Sequence, residues 1–171
     1  FNIPHATLLN FLTQLEASYR DVPYHNRNHA ADVLQGSVYM LNALREVAKD
    51  QIRPLDTLAL IVAAAAHDMD HTGQNNAFHV VTGSELALRY NDKSVLESHH
   101  CYRLFSMLNN QQANIFAGLS TEQRRELREI TMAMILGTDM AFHFKKVDRF
   151  NTMRAAGDLD CSQPETRTFV L

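Results

Sequence analysis

The chain has 171 residues, a net charge of −3 and an ordinary apolar share of 46%, enough to pack one core. No Lys/Arg block stands out, which argues against a nucleic-acid surface; Lys145, Lys146 and Arg149 read as the wet edge of an amphipathic helix. Two cysteines are too few for a disulfide framework and point to a reducing, cytoplasmic setting, no signal-peptide pattern opens the chain, and its longest apolar run, Leu58 to Ala66, is too short to cross a bilayer.

Nearly every stretch has a helical period. Leu8, Leu9, Phe11, Leu12 and Leu15 predict a first helix ending near Tyr19, before a break at Pro23. A second helix is expected from about Asn28 to Lys49, with Val33, Val38, Leu41 and Leu44 inward. Pro54 and Asp56 open a third, whose alanine-rich centre implies burial on all sides. A loop with Gly73 follows, then helices from Ser84 to Tyr90 and from Ser94 to Leu108. Ser120 and Gln123 have capping-box spacing and start a helix reaching Leu136. The next covers about Met140 to Ala156, with Gly157 as its stop. Pro164 and Glu165 look like the opening of another helix, and the apolar pattern stops as it starts. No segment alternates at period two. The fold class is therefore all-α, a compact multi-helix domain. The chain reads as C-terminally truncated, residues 1–171 being part of a domain that continues beyond Leu171.

Nine histidines are many for this length, and seven of them fall between His25 and His100. The centre is His67-Asp68-Met69-Asp70-His71, at the end of the apolar third helix. Buried charge is costly unless paired or metal-bound. His67 and His71 are four apart and can share a helix face. Imidazole suits Zn²⁺, a carboxylate also suits Mg²⁺ or Mn²⁺, and the two oxygens of Asp68 could bridge two ions. The second constellation is Tyr24-His25-Asn26-Arg27-Asn28-His29, with Asp32 placed to take the second ring proton of His29. The third is Tyr90-Asn91-Asp92 followed by Glu97-Ser98-His99-His100, where a carboxylate can orient an imidazole. The fourth is Thr138-Asp139-Met140 at a helix junction.

In this order and spacing the four motifs resemble the class I 3′,5′-cyclic-nucleotide phosphodiesterases, within the histidine–aspartate metal-dependent phosphohydrolases. The stretch His71-Thr72-Gly73 with Asn75, Asn76, Phe78 and His79 looks closest to the calmodulin-stimulated subgroup. The resemblance implies a helical domain with two divalent metals, a tightly held Zn²⁺ and a Mg²⁺ or Mn²⁺. It implies that His29, His67 and Asp68 hold the first, that Asp68 reaches the second, and that a hydroxide bridging the metals attacks phosphorus. His25 would be the general acid, oriented by Glu97. His71, Asn76, Glu97 and Thr138 would act largely through metal-bound waters, and Tyr24 and Met140 would line the substrate pocket. The implied activity is hydrolysis of cyclic AMP and/or cyclic GMP to the 5′ monophosphate.

The family's first metal takes a further aspartate from a later helix, and its purine-holding glutamine and phenylalanine come later still. Asp158 and Asp160 are not assigned to that ligand. The isolated chain is therefore expected to hold metal weakly and to have little or no activity. Two other functions compete: a histidine–aspartate hydrolase acting on nucleoside triphosphates, alarmones or cyclic dinucleotides, and a non-catalytic interaction module. Other residues have plainer readings. His5 is expected at the surface, and His79 and His143 as structural or exposed. Of the adjacent His99 and His100, one is expected to be buried and neither to ligate directly. Asp70 is expected as a supporting or solvated carboxylate, Asp92 and Asp139 as caps, Met132 and Met134 as core, and Cys101 as a buried thiol.

Overall fold

The computed structural model describes residues 1–48 and 51–171. Among them there is no strand, and the elements are helices: α1 (His5–Ala17), α2 (Arg27–Ala48), α3 (Pro54–Ala66), α4 (Asn76–Val81), α5 (Glu85–Tyr90), α6 (Val95–Leu108), α7 (Thr121–Leu136), α8 (His143–Ala156) and α9 (Pro164–Val170). The expected all-α class is observed. The expected end of the second helix, Lys49, lies outside the described residues. No helix among them is long and apolar enough to cross a membrane.

The core is built around α3, which packs against α2 on one side and α7 on the other. Its alanines make this possible. Ala59, Ala63 and Ala66 are buried, and Val62 beside them is too; small side chains let neighbouring helices close in. Pro54 sits at the first helical position, where a missing N–H costs nothing. Ile61 is exposed and Leu58 and Ala65 are only partly buried, so the expected burial on all sides is incomplete. From α6, Leu104 and Leu108 enter the same core, joined by Leu127, Ile130 and Ile135 of α7.

Three helical expectations need correction. Asn76–Val81 is a helix, capped by the Asn75 side chain accepting from the Phe78 amide, where a loop was expected. Met140–Ala156 is not one helix: a 3₁₀ turn, Met140–Phe142, capped by Asp139, precedes α8. The basic edge of α8 is not wholly wet either, because Lys146 Nζ donates to the Gly137 carbonyl at 2.6 Å. The capping box at the head of α7 is present, with Ser120 accepting from the Gln123 amide and Gln123 accepting from Ser120 N–H.

A buried ion cluster ties α9 to the head of α3. Asp56 and Arg167 are only 1% and 4% exposed, and their charged atoms lie 2.8 Å apart. Arg53 adds two hydrogen bonds to Asp56 and an ion pair to Glu126 of α7. Burial works to raise the Asp56 carboxyl, but the Arg53 hydrogen bonds and the Arg167 charge outweigh it and hold it low. A buried carboxylate persists only with such partners.

Candidate metal and catalytic site

The helix α3 ends at Ala66, and His67–His71 form a turn, not a further helical stretch. Asp70 takes the left-handed conformation, φ 60°. Its amide donates to the Ser18 carbonyl, and its carboxylate is gripped by Arg20 at 2.6 Å and His99 at 2.9 Å. Asp70 therefore supports the turn and is not solvated. The expectation that His67 and His71 share a helix face is thereby corrected. They meet instead around Asp68, whose two oxygens face two separate groups.

The first group is His29, His67 and Asp68. His67 Nε2 lies 3.3 Å from His29 Nε2 and 3.0 Å from Asp68 Oδ2, and His29 Nε2 lies 3.3 Å from the same oxygen. The other ring nitrogen of His67 donates to the Ala64 carbonyl at 2.9 Å, which leaves the Nε2 lone pair for a cation. Three acceptors crowded this closely repel unless a proton or a cation sits among them. Burial works against a charge on His67, yet the Asp68 hydrogen bond and charge win and raise its pKa. Burial also opposes charge on Asp68, but His67, His100 and His71 hold it at about 2. Burial and the nearby His67 lower His29. Two imidazoles and an ionised carboxylate are a donor set that fits a divalent ion. Asp32 is exposed and makes no hydrogen bond to His29 among the described residues, so the expected outer partner is not formed.

The second group is Asp68, His71 and His100. His100 is 1% exposed and donates from Nδ1 to the Met69 carbonyl at 2.7 Å. Its Nε2 then faces Asp68 Oδ1 at 3.6 Å. His71 Nδ1 accepts the Gly73 amide at 3.0 Å. Burial, aided by His25, lowers the His71 pKa to about 4, so the ring is neutral near pH 7 with its proton on Nε2. It is placed as a donor to water or a ligand oxygen more than as a lone-pair ligand. Both His99 and His100 are buried, where only one was expected. His100 was missed as a site residue. Adjacent residues project about 100° apart on a helix, so the sequence gives no sign of which one faces Asp68.

His25 lies just before α2, on a turn pinned by Asn26. That amide donates to the Val22 carbonyl at 2.8 Å and accepts from Asn28 N–H at 2.9 Å. The His25 ring stacks on His71, centroids 3.9 Å apart and planes within 13°. Tyr24 is 64% exposed, with its ring 4.6 Å from that of His29. Glu97 accepts from Asn76 Nδ2 at 2.9 Å, and Asn76 Oδ1 takes the Leu96 amide. Burial raises the Glu97 pKa against the Asn76 hydrogen bond. No hydrogen bond joins Glu97 to His25 among the described residues. Thr138 uses its hydroxyl within its own turn, donating to the Ile135 carbonyl at 2.8 Å, and Met140 is 71% exposed. A cavity of about 790 Å³ lies between α7, α8 and α9, with Thr138 on its wall and no histidine in its lining.

The sequence profile of the 3′5′-cyclic nucleotide phosphodiesterase family matches residues 24–171. The mouse dual specificity calcium/calmodulin-dependent 3′,5′-cyclic nucleotide phosphodiesterase 1B is 44% identical over 154 residues, 89% of this chain and 28% of that protein. The mouse 3′,5′-cyclic-AMP phosphodiesterase 4C is 47% identical over 156 residues, 90% of this chain and 22% of that protein. Identity to these two differs too little to single out the calmodulin-stimulated subgroup. The crystal structure of the phosphodiesterase domain of the RhoPDE fusion protein from the choanoflagellate Salpingoeca rosetta superposes with a TM-score of 0.92 at 37% identity. It matches 99% of this chain and 53% of that one. The chain thus spans less than a third of the curated relatives and about half of the domain it resembles in structure.

Proposed function

The chain belongs to the 3′,5′-cyclic nucleotide phosphodiesterase family, and from that footing we propose that the full-length protein hydrolyses cyclic AMP and/or cyclic GMP to the 5′ monophosphate. The observation that carries this reading is the meeting of His29, His67 and Asp68, brought from α2 and the end of α3 to within 3.3 Å of one another. Those three side chains would hold a tightly bound ion. Two nitrogens beside one oxygen favour Zn²⁺ there. The second oxygen of Asp68 faces His71 and His100, and a site served by a carboxylate and ordered water suits Mg²⁺ or Mn²⁺. Divalent ions held there would supply Lewis acidity toward a phosphoryl oxygen and lower the pKa of water.

The chain's own residues do the rest. His25 carries no side-chain hydrogen bond among the described residues, and its stack on neutral His71 fixes the ring plane without pairing two cations. It is the group placed to give a proton to the departing 3′ oxygen. His71 would offer Nε2–H, and Glu97, steadied by Asn76, would offer a carboxylate to metal-bound water. Tyr24 and Met140 are both exposed, and they would line the nucleotide pocket. The 171-residue chain by itself would supply His29, His67 and Asp68 to the first ion and Asp68 to the second, so it would retain metal weakly and turn over slowly.

A substrate panel separates this from other histidine–aspartate hydrolases. The full-length protein should cleave cyclic AMP or cyclic GMP and leave nucleoside triphosphates, alarmones and cyclic dinucleotides intact. Turnover of any of the latter without the former would overturn the assignment.

A further inference from the structure

We infer that Asp139 is a positioning residue, whose carboxylate locks the Thr138–Met140 turn to the head of the helix that carries Glu97. The inference rests on the phosphodiesterase reading for the chemistry it serves, but its geometry stands alone. Asp139 is 7% exposed. One oxygen accepts the Ala141 amide at 2.9 Å, which is all that a cap requires. The other accepts the Ser94 hydroxyl at 2.7 Å, across 45 residues of sequence.

Ser94 explains why that second bond matters. It stands at the N-cap of α6, where a serine normally accepts an amide of its own helix, yet it makes no such bond. Its hydroxyl is turned to Asp139 instead. Ser94 also adopts φ 40°, a left-handed conformation that is unfavourable for a residue with a side chain. The capping work at this end is shared out: Asn76 Oδ1 takes the Leu96 amide while its Nδ2 holds Glu97. The first turn of α6 is therefore gripped twice, by Asn76 from α4 and by Asp139 from the 3₁₀ turn. On its far side the turn is held by Lys146, which donates to the Gly137 carbonyl. Burial raises the pKa of Glu97, and the nearby Asp139 adds to that shift. A plain N-cap would need neither burial nor a distant partner.

The test uses Ser94→Ala and Asp139→Ala in the full-length protein, with Asp139→Asn as the conservative variant. Asparagine keeps an acceptor for Ala141 N–H and can pair with the serine hydroxyl through its amide. Cyclic-nucleotide kcat and Mn²⁺ affinity are measured together. Both alanine variants should lower kcat and weaken Mn²⁺ by about tenfold, the usual effect of losing an outer support. Zn²⁺ should stay stoichiometric, and Asp139→Asn should recover most of both losses. Unchanged kcat and Mn²⁺ affinity in the alanine variants, with only the melting temperature lowered, would reduce Asp139 to a structural cap. If the wild-type protein ignores cyclic nucleotides but Ser94→Ala still loosens Mn²⁺, the substrate reading fails and the positioning role stands.

Discussion

His29 Nε2 and His67 Nε2 face each other at 3.3 Å, with Asp68 Oδ2 within 3.3 Å of both. Nothing in hydrophobic packing brings three such atoms together, and a shared cation would relieve their mutual repulsion. We expect His29→Ala and His67→Ala each to lose stoichiometric Zn²⁺ from the full-length protein, measured by elemental analysis after gel filtration. Circular dichroism should report an intact helical fold. Full Zn²⁺ content in both variants would remove these residues from the ligand set.

His25 touches the site through ring contacts, not through a shared lone-pair cluster. His25→Ala should therefore lower kcat by about 10²–10⁴-fold, the range for losing a proton-transfer group. Metal content should not change. Loss of Zn²⁺ along with activity would make His25 a ligand and overturn the proton-donor role.

Acid should weaken the metal-free fold before its carboxylates titrate. Burial lowers the pKa of His100 to about 4, and burial with His25 lowers His71 to about 4. Burial also lowers His79 and His99. A histidine with a depressed folded pKa binds its proton more readily when unfolded. Its contribution is whole above the unfolded value near 6.5 and is lost as pH falls toward the folded one. His67 and Glu97, both raised, pull the other way but are outnumbered. Urea unfolding in chelator should show stability falling steadily between pH 6.5 and 4. A flat profile over that window would mean that these imidazoles are not neutral in the fold.

Arg167 and Asp56 test the helical frame apart from the chemistry. Arg167→Met leaves Asp56 with Arg53 alone in a buried place. Breaking one side of a buried pair costs about 3–5 kcal/mol, and the urea midpoint should drop accordingly. The double variant Asp56→Asn with Arg167→Met should recover part of the loss. A single variant as stable as wild type would show that the pair is dispensable.

The sequence was legible where chemistry sits in short, ordered motifs. His25, His29, His67 and Asp68 stood out as candidates by type and spacing, their roles coming from the resemblance, and Ser120 with Gln123 stood out by capping geometry. What periodicity could not convey was the turn after Ala66. A left-handed Asp70 is set by Arg20, His99 and the Ser18 carbonyl, all distant in sequence. For the same reason His100 was hidden beside His99. The helix α4 escaped because six residues are too few to display a period.

The most direct measurement is cyclic AMP and cyclic GMP hydrolysis by the full-length protein before chelation, after chelation, and after return of Zn²⁺ with Mg²⁺. The account predicts turnover that disappears on chelation and comes back with the metals in wild type, and none under any condition in Asp68→Ala. Undiminished hydrolysis by the chelated protein or by Asp68→Ala would contradict it.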